Sequence, residues 1–251
     1  MRVLVTFAVD AEFAPWRKLR KFVTHDRNDL EAHTTRIGDV EVTVVLTGVG
    51  GKKAWVEATK IIWDAKVDVC ISSGLAGSLR LEHSVGCVLA ARNVDATGWK
   101  TRISSDSALV ELASQCGGKV VDCFHSVDRV IVDAAEKHRL GLASDAVEME
   151  SGEVMYEAAA FGAKCIAIRA ISDAADETLP MDFNRVTTGD GDVSIARILV
   201  QVAAHPESVP ALIRFGKQSR RAAENLAAFL DRYVLKVAEA STIKPSESVA
   251  V

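Results

Sequence analysis

The chain has 251 residues, 49% apolar and 25% charged, enough to bury the core of one large globular domain. A formal net charge of -4 excludes the concentrated basic face that a nucleic-acid surface needs, and leaves small molecules as the expected partners. Five cysteines (Cys70, Cys87, Cys116, Cys123, Cys165) are odd in number, lie mostly in apolar runs and never form a CxxC, as expected of buried thiols in a reducing cytosol.

Residues 2 to 9, RVLVTFAV, form a β-branched and nearly continuous apolar run, the pattern of a strand buried on both faces. Asp10 interrupts it too early for a signal peptide or a membrane span, so a soluble cytoplasmic protein is expected. From Asp10 onward Phe13, Trp16, Leu19 and Phe22 recur at helical spacing, with Pro15 assigned to the first turn, where its missing N–H does no harm. A strand at 40 to 48 (VEVTVVLTG), the helix GGKKAWVEATKIIWDA and a strand at 67 to 74 (VDVCISSG) then give a βαβ unit. Further strands are predicted at 86 to 91, 119 to 124 and 164 to 172, and a helix at 151 to 162 that ends on a glycine.

Residues 173 to 191 are polar, hold Pro180 and two glycines, and read as a long loop of the functional kind. Two helices are expected after it. The last carries an apolar stripe of Leu212, Phe215, Ala222, Leu226, Phe229, Tyr233 and Val237, with Arg214, Lys217, Arg220 and Arg221 on a solvated basic face. The terminal STIKPSESVAV has the composition of a disordered tail, so residues 1–237 are assigned to one catalytic domain and 238–251 to the tail. The predicted class is α/β.

Two glycine loops, GVGGK (48 to 52) and SSGLAGSL (72 to 79), fall at strand carboxyl ends, where open α/β sheets bind ligands. Neither is a Walker loop or a GxGxxG, and a plain tight turn explains each equally well. Gly74 and Gly77 would let the backbone approach a ligand closely. The six histidines show no metal spacing, so no metal and no cofactor is expected. No GxSxG elbow is present, which argues against a covalent nucleophile. What remains is a set of carboxylates at strand ends: Glu12, Glu150 and Asp173. Helix capping or turn formation would account for any one of them taken alone.

The trio AVDAE (8 to 12), VEMES (147 to 151) and RAISDAAD (169 to 176), with TGVG (47 to 50) and SGLAGSL (73 to 79) between, resembles the purine nucleoside phosphorylase and uridine phosphorylase superfamily. Its methylthioadenosine/S-adenosylhomocysteine nucleosidases are the most similar branch, and the segment from Leu179 to Tyr233 resembles hopanoid-associated phosphorylase-like members. The resemblance implies a single domain with a central mixed, twisted sheet flanked by helices, a homodimer or higher homo-oligomer, and a nucleoside held at strand ends. It further implies that Asp173 is a general acid kept protonated by burial, that Glu12 activates water, and that Glu150 accepts hydrogen bonds from ribose hydroxyls.

Met149 would then pack on the sugar and exclude water. Val9, Leu75, Gly74, Val130, Ile131, Glu148 and Ser172 match other substrate-binding positions, while Arg169 is expected to anchor its strand. Three of these depart from the nucleosidase pattern: Val130 stands at the position of a base-stacking aromatic, Val9 at a methionine and Leu75 at a serine. Hydrolysis of a purine nucleoside or 5′-substituted adenosine is the leading expectation. Phosphorolysis, with inorganic phosphate in place of water and a bulky apolar 5′ group, and noncatalytic nucleoside binding are the alternatives.

Overall fold

The structure, a computed structural model, describes residues 1–26, 30–98, 102–185 and 206–242. In chain order it runs β1 (Arg2–Phe7), α1 (Asp10–Leu19), β2 (Val23–Asp26), β3 (Glu31–Ile37), β4 (Val40–Leu46), α2 (Gly51–Ala65) and β5 (Val69–Ser78). There follow β6 (Val88–Ala96), β7 (Ile103–Ser104), α3 (Ser107–Gln115), β8 (Lys119–Ser126), α4 (Ala134–Leu140), β9 (Ala146–Glu148), α5 (Ser151–Ala160) and β10 (Lys164–Asp173). Two short 3-10 turns, Phe183–Arg185 and Pro206–Ser208, precede the long helix α6 (Val209–Thr242).

The sheet is mixed, as expected. Parallel pairing joins β4 to β1, β1 to β5 and β5 to β10; β10 then pairs antiparallel with β6, and β6 parallel with β8. Strand β9 closes a ring, pairing parallel with β8 and antiparallel with β5. Five strands therefore curl into a barrel-like closure while β1, β4, β3 and β2 extend as an open wing. Closure removes edges from the ring strands, and the parallel pairing of β1, β5 and β10 sets their carboxyl ends side by side.

Successive side chains of β1 enter opposite cores, as the period of two requires. Val3, Val5 and Phe7 pack with Phe13 and Trp16 of α1, Leu109 of α3 and Leu226 and Tyr233 of α6. Leu4 faces the other way, with Ile61 of α2 and Val154 and Met155 of α5. Strand β10 is buried from Cys165 to Asp173, which explains its near-continuous apolar sequence.

Several elements differ from the sequence reading. Pro15 lies inside α1 beyond its first turn, and Phe22 lies past the end of that helix, where its ring still packs on Phe13 at 4.9 Å and Trp16 at 5.4 Å. The hairpin β2–β3 was not predicted. Helix α6 runs on to Thr242 with Ala238 buried, so the first five residues of the expected tail are helical; the rest of that tail lies outside the described residues. The same holds for residues 186 to 191 of the predicted loop and for the first of the two helices expected after it. Among the described residues no helix is long and apolar enough to cross a membrane.

Candidate active site

The carboxyl ends of β1, β5 and β10 and the turn between β9 and α5 open into one cleft of about 720 Å³, roofed by α1 and the start of α6. Glu12, Glu150 and Asp173 all line it.

Asp173 ends β10, next to a register irregularity between Ile171 and Asp173 that re-aims the last residue of the strand. Its Oδ1 lies 2.6 Å from Ser172 Oγ, and its Oδ2 accepts from Lys137 Nζ at 2.5 Å. A Cβ added to Gly77, its partner on β5, would stand 2.9 Å from Oδ2, so the carboxyl requires a glycine there. Burial alone was expected to keep Asp173 protonated. Instead the carboxyl is buried against an ammonium, and its environment is ionic rather than apolar.

Glu12 sits in the first turn of α1, and the backbone holds both of its oxygens. Oε2 accepts from Ala8 N–H at 2.9 Å and Val9 N–H at 3.4 Å, while Oε1 accepts from Leu75 N–H on β5 at 2.9 Å. One carboxyl therefore both caps α1 and lines the cleft. Burial pushes its pKa up, opposed by the Leu75 N–H, the Arg169 charge and the Ala8 and Val9 N–H groups. A carboxylate made more basic in this way is better suited to take a proton from water near neutral pH. Gly74 lies behind Glu12 rather than on the cleft wall. A Cβ there would stand 3.1 Å from both carboxylate oxygens, and its φ of +151° disfavours other residues.

In VEMES the two acids have separate work. Glu148 lines the cleft too, but its carboxylate pairs with Arg169 and accepts from the N–H groups of Glu150 at 3.1 Å and Ser151 at 2.8 Å, capping α5. Burial would raise its pKa, but Arg169 and these donors outweigh burial and hold it below the ordinary carboxylate range. Expected among the substrate-binding residues, Glu148 stands in the cleft wall and also supports the backbone of Glu150. Arg169 is fully buried, pairs with Glu148, and reaches Ser72 Oγ at 3.3 Å and Glu150 Oε2 at 3.7 Å, so it anchors the site as well as the strand.

Glu150 Oε1 accepts from Gly50 N–H at 2.9 Å. The GVGGK turn thus meets the chain's own Glu150 carboxyl. Burial and the Glu148 charge push the Glu150 pKa up to about 8, against the pull of Arg169 and the Gly50 N–H. A carboxyl poised there ionises readily when a cation arrives beside it.

Val9, Leu75, Met149, Val130, Ile131 and Ser172 also line the cleft, as expected. Met149 packs against Leu79, Val127, Ile131 and Val147. Val130 presents its backbone rather than a ring: its N–H donates to Asn184 Oδ1 at 2.8 Å, and its C=O accepts from Asn184 Nδ2 at 3.0 Å. Lys137, Asn184 and the ring pair Phe183–Phe215, 5.2 Å apart at the cleft, were absent from the sequence-based site. Nothing in the local pattern marks them, because their partners are remote in the chain.

A family model described as the phosphorylase superfamily matches residues 2–235. The chain belongs to the phosphorylase superfamily. Solved structures with the superfamily fold include the 5′-methylthioadenosine/S-adenosylhomocysteine nucleosidase of Campylobacter jejuni, with TM-score 0.72 and 19% identity over 94% of this chain and 99% of that one. The corresponding enzyme of Neisseria meningitidis, in complex with methylthio-immucillin-A, has TM-score 0.72 and 21% identity over 93% and 98%. Futalosine hydrolase of Helicobacter pylori has TM-score 0.72 and 20% identity over 93% and 97%. At these identities the likeness is one of fold.

One consequence for this superfamily member concerns pH. Folded Glu150 binds its proton up to about pH 8, whereas an unfolded glutamate releases it near 4.5, so this group's contribution to stability is present below 4.5 and lost as pH rises through 8. Glu12, also raised, acts in the same direction. Glu150→Gln removes the Glu150 contribution, so its Tm advantage over the wild type should widen between pH 5 and pH 8.5 in calorimetry. A constant difference across that range contradicts the assignment.

Proposed function

We propose that the protein hydrolyses the N-glycosidic bond of a purine nucleoside carrying a 5′ substituent. Asp173 protonates the leaving base, Glu12 takes a proton from the attacking water, and Glu150 accepts hydrogen bonds from the ribose hydroxyls and favours the positive charge that develops on the sugar. The observation that carries this reading is the shared cleft: three acids from distant parts of the sequence line one cavity within the size range of small-molecule sites.

Water is favoured over phosphate by what surrounds Glu12. The N–H groups of Ala8, Val9 and Leu75, which an oxyanion would need, are bonded to its carboxylate. Of the cations that line the cleft among the described residues, Arg129 and Arg220 pair with Glu136 and Glu224, which leaves Lys18 of α1 as the charge a phosphate would have to use. The apolar part of the cleft wall includes Val9, Ala11, Ala14 and Pro15 together with Phe183 and Phe215. That lining suits an apolar 5′ group such as a thioether better than the charged amino acid of S-adenosylhomocysteine.

Free base measured across adenosine, methylthioadenosine, longer alkylthio analogues and S-adenosylhomocysteine, with and without phosphate, tests the proposal. Release without phosphate, rising with the apolar size of the 5′ group, is expected. Strict phosphate dependence would assign phosphorolysis, and tight binding without release would assign a nucleoside-binding protein.

The partner in assembly is a second copy of the chain. Trp55 and Trp63 of α2 donate their indole N–H groups to buried Glu157 of α5 at 2.8 and 2.9 Å, which fixes an exposed aromatic face that also includes Tyr156 and Phe161. Light scattering should give at least a dimer, and Trp63→Glu should shift it toward monomer; a monomeric wild type removes this reading.

A further inference from the structure

Lys137 has a place in the chemistry that its surroundings in the sequence conceal. It lies in α4, in the charged stretch AAEKHRL, yet its side chain is fully buried. A lysine is almost never fully buried unless paired. All three ammonium protons here have acceptors: Asp173 Oδ2 at 2.5 Å, the Ala174 carbonyl at 3.0 Å and the Glu177 carbonyl at 2.8 Å. The cleft wall includes Asp173 but not Lys137, so Lys137 reaches the acid from behind. With Ser172 at Oδ1 and Lys137 at Oδ2, both carboxyl oxygens are tethered, and the chain segment that follows β10 is tied to the same nitrogen.

We propose that Lys137 is the positioning residue of proton delivery at Asp173, an inference that rests on the nucleosidase reading above. As the glycosidic C–N bond breaks, its electron pair passes to the base, a new base N–H bond forms and the Asp173 O–H bond breaks. The carboxylate left behind is the group that the Lys137 ammonium contacts. Lys137 therefore stabilises the product of proton transfer while itself keeping all its protons, and Asp173 regains a proton from solvent after the base leaves.

The test compares leaving groups. Lys137→Met should lower kcat on a cleaved purine nucleoside by about tenfold to a hundredfold with KM little changed, the scale of a misplaced catalytic group. On p-nitrophenyl β-D-riboside, whose phenolate departs without a proton, the loss should stay below about threefold. Equal losses on both substrates, or a raised KM with kcat intact, would make Lys137 a structural anchor and overturn the proposal.

A second comparison removes both partners of the pair in one doubly substituted chain and does not depend on the riboside. Lys137→Met added to Asp173→Asn should leave the residual rate of the single variant within about twofold, because its effect passes through the missing acid. A further tenfold loss overturns the proposal. A wild type that cleaves neither substrate would instead refute the nucleosidase reading, and this inference with it.

Discussion

Asp173→Asn is expected to lower kcat on the best purine nucleoside by about 10²–10⁴-fold, the range for losing a general acid, with a much smaller change in KM. The amide fits the local hydrogen bonds. Its oxygen can still accept from Lys137 and its NH2 can donate to Ser172 Oγ, so the geometry of the strand end should survive. What is lost is the acid function: the proton that the carboxyl transfers, and the carboxylate it then becomes, which is the counter-charge of the buried Lys137 ammonium. Breaking a buried pair from one side costs about 3 kcal/mol or more, so the variant should also unfold at a lower temperature than the wild type. Near-normal turnover by the folded variant would remove Asp173 from the mechanism.

Glu12→Gln should be as damaging, for a different combination of reasons. The amide cannot take a proton from water, which alone predicts a loss of about 10²–10⁴-fold in kcat. The carboxylate also serves three N–H groups with its two oxygens. A glutamine has one acceptor oxygen, so at least one N–H must face an amide NH2, a mismatch of about 1–3 kcal/mol at a buried site. The pH profile separates the two effects. In the wild type, activity should fall with falling pH through a limb above the ordinary carboxylate range, because burial raises Glu12 and its protonated form cannot act as a base. The residual activity of Glu12→Gln should lack that limb. A limb that persists unchanged would assign it to another group.

The elements that build the site were legible because they are buried on both faces. Strands β1, β5 and β10 write that burial directly as apolar runs: β1 leads to Glu12, β10 ends on Asp173, and SSGLAGSL, expected as a loop after its strand, forms the second half of β5 instead, as far as Ser78. The acids themselves were not identifiable singly, since Glu12 also caps the start of α1. Their joint order along the chain carried the resemblance, and the shared cleft matches it.

What escaped is long-range. Ring closure through β9 depends on a three-residue strand, Ala146–Glu148, too short to show a period. The β2–β3 hairpin is polar, with every β2 residue exposed, so no hydrophobic alternation announces it. Lys137 sits among charges that read as a solvated helix, and only the folded chain brings it against Asp173, 36 residues away. Glu148 and Glu150, two residues apart, looked equivalent. Both border the cleft, but the turn into α5 sends one carboxyl to Arg169 and the other to the Gly50 N–H.

The most direct test of the central claim is the fate of oxygen. A purine nucleoside turned over by the wild-type protein in ¹⁸O-labelled water, with phosphate present, should give free base and a sugar carrying one labelled oxygen at the anomeric carbon, and Glu12→Gln and Asp173→Asn should both suppress that product. Unlabelled ribose 1-phosphate in place of the labelled sugar would contradict the account, as would labelled sugar formed at an unchanged rate by either variant.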